Sequence, residues 1–120
     1  MQYLLLIYGN EKNWAATPQD KRKEVLGEYF AFINDIKPKG HYIGGNPLQP
    51  THAATTVRVR DGKRTVTDGP FAETKEQLGG YFLVEAKDLD EATEIAALIP
   101  GAKMGSIEVR PIHPIGPPPA

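Results

Sequence analysis

A chain of 120 residues without cysteine is short enough for one folding unit; it has no thiol for a disulfide, a metal site or a nucleophile, which fits a reducing, cytoplasmic setting. Its net charge of −1 argues against a general binder of nucleic acid or of membrane surfaces. No apolar run approaches the ~20 residues of a membrane span, and residues 3–8, though apolar, are too few and lack the basic start of a secretory leader.

In chain order, residues 3–8 predict a first strand, apolar at every position and so covered on both faces. Residues 11–16 read as a loop. Thr17, Pro18 and Asp20 then suit an N-cap, a first helical turn and the positive helix end. Val25, Leu26, Tyr29, Phe30, Phe32, Ile33 and Ile36 recur at helical spacing, and Pro38 and Gly40 stop the helix. A short strand is expected at 41–45, a loop at 48–52, and a hairpin of 54–60 with 64–68 around Asp61-Gly62, a strong two-residue turn signal. Residues 81–86 predict another strand. Asp88 and Glu91 form a capping-box pattern before a second helix through Ala92, Ile95, Ala96 and Ile99. Residues 106–110 are the last strand, and the prolines of 114–120 make an extended tail. The expected organisation is one α+β domain over residues 1–113 followed by that tail. The order matches a ferredoxin-like βαββαβ core with an inserted or extended hairpin. Two helices cover one sheet face only, so the apolar second face predicts a homodimer packed sheet on sheet.

The densest run of special residues is 67–82. Gly69-Pro70 punctuates a turn, Asp68 is placed to fold its carboxylate onto the following amides, and Phe71 is a large apolar anchor in a polar loop. Gly79-Gly80 lets the chain swing into the next strand. If the hairpin turn has two residues, Asp68 shares a face with Val57 and Val66, and that face reads as inward. A carboxylate there suits a general base or a ligand-orienting group in a cavity; the competing reading is an Asx-turn at Gly69-Pro70.

The run TDGPFAETKEQLGGYFLVEA, residues 67–86, resembles the signature of the DGPF branch of the YCII-related family. The resemblance extends to 47–50, 54–63, 88–92 and 107–111. It implies a ferredoxin-like subunit that pairs into a dimeric α+β barrel. Some family members resemble accessory proteins of extracytoplasmic-function sigma factors. Smaller members carry a histidine in the first helix and an aspartate before a proline near the end of the second. Here the first helix has no histidine and Ile99 precedes Pro100, so that dyad is absent and Asp68 would have to replace it.

Around Asp68, the candidate ligand-binding residues are His52, Glu73, Lys75 and Tyr81, with plain surface and core roles as their alternatives. His41, His52 and His113 show no metal-ligand spacing, although His41, His52 and Asp68 together are a conceivable metal set; no metal and no cofactor are expected. Arg58, Arg60, Lys63 and Arg64 cluster at the hairpin tip but lack the aromatic residues and basic background of a nucleic-acid surface. Two functions follow: a dimeric protein that binds a small organic molecule, with proton transfer by Asp68 if it is an enzyme, or a non-catalytic regulatory module.

Overall fold

The computed structural model describes residues 1–119. Strand β1 (Gln2–Gly9) leads into a short helix α1 (Glu11–Ala16), where a loop was expected. Asn10 explains it: its side chain accepts from the Asn13 amide at 3.0 Å and caps the helix. Thr17, expected to cap the long helix α2 (Gln19–Ile36), instead closes α1. Its amide donates to the Trp14 carbonyl and its hydroxyl to that of Asn13, so Pro18 is left at the start of α2 without a side-chain cap.

Strands β2 (Tyr42–Pro47), β3 (Thr55–Arg60), β4 (Lys63–Asp68) and β5 (Gln77–Glu85) precede helix α3 (Leu89–Ala97) and strand β6 (Ser106–Pro111). The capping pattern at α3 is realised: Asp88 accepts from the Glu91 amide at 2.9 Å, and the Glu91 carboxylate reaches back to the Lys87 amide at 3.0 Å.

The main sheet is antiparallel, in the order β2-β5-β1-β6, which is the ferredoxin-like arrangement once the β3–β4 hairpin is set aside. One face carries Tyr3 and Leu5 beside Val84 and Phe82, packed against Phe32 and Ile36 of α2 and Ile95 and Ala96 of α3. The Phe82 ring sits 5.1 Å from Phe32 and 6.3 Å from Tyr29 and Tyr42. A Cβ on Gly45 would press into that ring and stand 2.7 Å from the Tyr81 carbonyl oxygen, so β2 needs glycine there. The register shift between Ile7 and Tyr8 leaves Gly79 unpaired as a bulge, and this bends the start of β5. The opposite face presents Leu4, Leu6, Tyr81 and Leu83, half-buried and with no helix over them.

The β3–β4 hairpin is a sheet of its own. Asp61 and Gly62 take φ of 51° and 74°, the left-handed pair that a two-residue primed turn requires. The register is the expected one, with Arg60 opposite Lys63, Val57 opposite Val66 and Thr55 opposite Asp68. Neither strand makes an extended contact with any other element. The radius of gyration is accordingly 16.7 Å, where a compact chain of this length would have about 14 Å, and the molecule is a slab of 49 × 48 × 19 Å.

At the other end of β1, the Ile112 amide donates to the Gln2 carbonyl, and Pro114 lines a groove together with Met1 and Glu85. The expected tail reaches Ala120, which lies outside the described residues.

Candidate functional site

Asp68 closes β4, and its strand neighbours fix its face. Alternation puts Thr55, Val57 and Val59 with Arg64, Val66 and Asp68 on one side of the hairpin. That side, expected to point inward, is exposed within the single chain: Val57, Val59 and Val66 are 57%, 62% and 58% accessible. The physical reason is that the hairpin forms its own sheet rather than joining the main one.

The Asx-turn reading of Asp68 is also corrected. The turn is held by other groups: the Gly69 amide donates to the Ala54 carbonyl at 2.7 Å and the Thr56 hydroxyl to the Gly69 carbonyl at 2.8 Å. Gly69 takes φ of 102°, which glycine alone adopts cheaply. The Asp68 carboxylate has no hydrogen-bond partner among the described residues. Phe71, expected as an anchor, is exposed.

The remaining candidates are distributed around the base of the hairpin. His52 is exposed in a single 3-10 turn, Thr51–Ala53, which precedes β3. Glu73 and Lys75 are exposed in the loop after β4, and Lys75 forms no ion pair with Asp68. The acid of that loop with a fixed role is Glu76, whose carboxylate accepts from the Ser106 hydroxyl at 2.9 Å and ties the loop to β6. Tyr81 lies on the uncovered face of the main sheet, not against the helices, and its hydroxyl accepts from the Asn46 side-chain amide at 2.9 Å. His41 stands at the far end of β2, its Nδ1 2.9 Å from the Glu85 carbonyl oxygen. It cannot join His52 and Asp68, and among the described residues no three acidic or histidine side chains converge to hold a metal.

One polar cluster escaped the sequence reading. The Glu11 carboxylate accepts from both the amide and the hydroxyl of Thr51, at 2.7 and 2.8 Å, and the Gln77 side-chain oxygen accepts from the Glu11 amide at 3.0 Å. The end of β1, the turn before β3 and the start of β5 are thereby locked together. Asn10 followed by an acid was the available signal, a helix cap with its first-turn carboxylate.

An open groove of about 390 Å³ lies between α2 and the segment after α3, lined by Glu28, Asp35, Leu98 and Lys103 among others, and contains none of the candidate residues. Beside it, the Tyr29 hydroxyl faces the Gly101 backbone. Burial pushes the Tyr29 phenol above its usual range, the Gly101 backbone opposes that, and the nearby Glu28 charge adds to it.

A sequence profile described as the YCII-related domain matches residues 1–116. An uncharacterised protein of Rhizobium meliloti is 38% identical over 114 residues, which are 93% of this chain and 92% of that protein. Among solved structures, the 5-chloro-2-hydroxyhydroquinone dehydrochlorinase of Burkholderia phenoliruptrix, in complex with 2,5-dihydroxybenzoquinone, superposes over 94% of each chain. Its TM-score is 0.51 at 16% identity, a likeness of fold.

Proposed function

The chain belongs to the YCII-related family, and we propose that it works as a homodimer that binds a small phenolic or keto-acid molecule, with Asp68 as the proton-transferring or ligand-orienting carboxylate. The observation that carries this reading is the Asp68 carboxylate, without a hydrogen-bond partner among the described residues and on the same face as Val57 and Val66. A carboxylate covered on such a face is turned toward a bound molecule, where it can orient a ligand or exchange a proton with it. Homodimer formation through the Leu4, Leu6, Tyr81 and Leu83 face would supply cover for the sheet and enclose the Tyr81–Asn46 pair. The fold likeness to a dehydrochlorinase that holds a dihydroxybenzoquinone makes that compound the first one to try.

The experiment is a thermal-shift titration of 2,5-dihydroxybenzoquinone and a set of phenolic and keto acids, with parent and Asp68→Asn in parallel. A ligand that raises the parent's Tm and leaves Asp68→Asn unmoved, with the two unliganded proteins within about 1 kcal/mol in stability, supports the role. Equal shifts remove Asp68 from the site.

A second reading, a non-catalytic accessory module, is favoured by Leu26 and Phe30. They stand four residues apart on α2 and are 54% and 59% exposed, an apolar stripe with no partner in this chain. A blank ligand screen, together with binding to an extracytoplasmic-function sigma factor that Phe30→Glu abolishes, would select it.

A further inference from the structure

We infer that the β3–β4 hairpin is a dimerisation arm: two copies of the chain lay these hairpins together, valine face to valine face and antiparallel, so that Arg64 of one copy meets Asp68 of the other. The inference rests on the homodimer proposed above.

Three observations carry it. A two-stranded hairpin that packs on nothing is marginal in water. This one nevertheless keeps a regular register over all six pairs while leaving Val57, Val59 and Val66 more than half exposed. Something must cover that face in the working molecule.

No described segment of the same chain can do so. The arm leaves the sheet where β1 ends and β5 begins, whereas residues 112–119 start beside Gln2, at the opposite end of β1. Eight strand residues separate those ends by about 26 Å, and seven extended proline-rich residues cover only about 22 Å. The valines lie farther out still.

The charge order on the face then points to a second copy. Along β4 the face reads Arg64 at the tip, Val66 in the middle and Asp68 at the base; along β3 it reads Val59, Val57 and Thr55. Turned by a two-fold axis through the Val57–Val66 pair, base meets acid at both ends and valine meets valine at the centre. Such self-complementarity is what a two-fold interface requires, since each contact must occur twice. A face of two strands and six residues measures about 10 by 20 Å, a few hundred Å² and short of the ~800 Å² per partner of a stable complex. The arm contact is therefore an addition to a larger interface, and any site at Asp68 is built by both chains, with the second copy's arginine beside the carboxylate.

The absence of cysteine allows thiols to be placed singly. Val57→Cys and Val66→Cys report on the valine face, and Thr65→Cys on the opposite face. The probe is the rate of alkylation by iodoacetamide in the folded protein. Val57→Cys and Val66→Cys are expected to react at least ten-fold more slowly than Thr65→Cys; equal rates overturn the inference. Adding Arg64→Glu should remove the protection, and combining Arg64→Glu with Asp68→Arg should restore it. Protection that ignores Arg64→Glu, or that the double reversal does not restore, shows a different cover and also overturns it. Sedimentation equilibrium on the same proteins separates the two levels. A dimer mass with freely reacting thiols removes the arm contact and leaves the sheet-face dimer standing, whereas a monomer mass removes both.

Discussion

The main sheet and the arm are built from the same kind of strand and end in opposite circumstances. In β1 and β5 the apolar residues of one face meet two helices, so Leu5 and Val84 are wholly buried. In β3 and β4 a face centred on Val57 and Val66 meets no other element among the described residues. Alternation of side chains determines which residues share a face; it does not determine whether the chain has anything to lay on that face. The core thus stabilises the chain by itself, and the arm would contribute only what the proposed partner covers.

The largest effect that tests this contrast comes from truncating one residue in each region. Leu5→Ala removes a wholly buried side chain and should cost about 2–5 kcal/mol in urea unfolding. Val66→Ala should change the stability of the subunit by less than about 0.5 kcal/mol, measured at a concentration where the protein is monomeric. A large loss for Val66→Ala under those conditions would mean that the arm is part of the core.

Gly105→Ala probes the tightest backbone approach at the edge of the core. A methyl there would collide with the Tyr8 carbonyl and crowd Gly9 at 3.1 Å, where neither backbone group can swing away. A loss of more than about 2 kcal/mol is expected, with β6 displaced from β1.

Alkaline pH reaches the core through Tyr29. Its phenol titrates higher when folded than when unfolded, so its neutral form contributes stability that is present below the unfolded value of 10.0 and is lost as pH rises through the folded one. Unfolding free energy followed from pH 9 to 11 should decline, and Tyr29→Phe should flatten the decline. An unchanged slope in Tyr29→Phe would assign the effect to other groups.

The smallest effect is expected at the tail. Truncation after His113 removes Pro114 from the wall of the groove it shares with Met1 and Glu85 and leaves the Ile112–Gln2 bond in place. The Tm should move by less than about 2 °C, and a larger drop would make the tail a structural part of the sheet's far edge.

Most of the fold was legible because its signals are local. Asp61-Gly62 fixed the hairpin register, and Asp88 with Glu91 fixed the start of α3. Residues 11–16 were missed because Asn10 resembles the end of a strand as much as the cap of a helix, and Thr17-Pro18 resembles a helix start while serving as a helix end. The candidate site was legible to a lesser degree. Periodicity put Asp68 with Val57 and Val66, but the inward direction assigned to that face depended on which sheet the hairpin joins, a long-range choice that alternation does not encode. The Glu11–Thr51–Gln77 cluster joins residues up to 66 positions apart, so no spacing rule could reveal it.

That cluster bears on how the proposed association would happen. The Glu11 carboxylate grips Thr51 by two hydrogen bonds, and Gln77 grips Glu11 in turn, so the arm is anchored on both of its connecting segments. An arm anchored at its base would meet a partner with its connecting segments already in place, so less chain entropy would be lost on docking than for a free hairpin. Release would bare the valine face of the arm again, while the hydrophobic centre of the chain stayed closed.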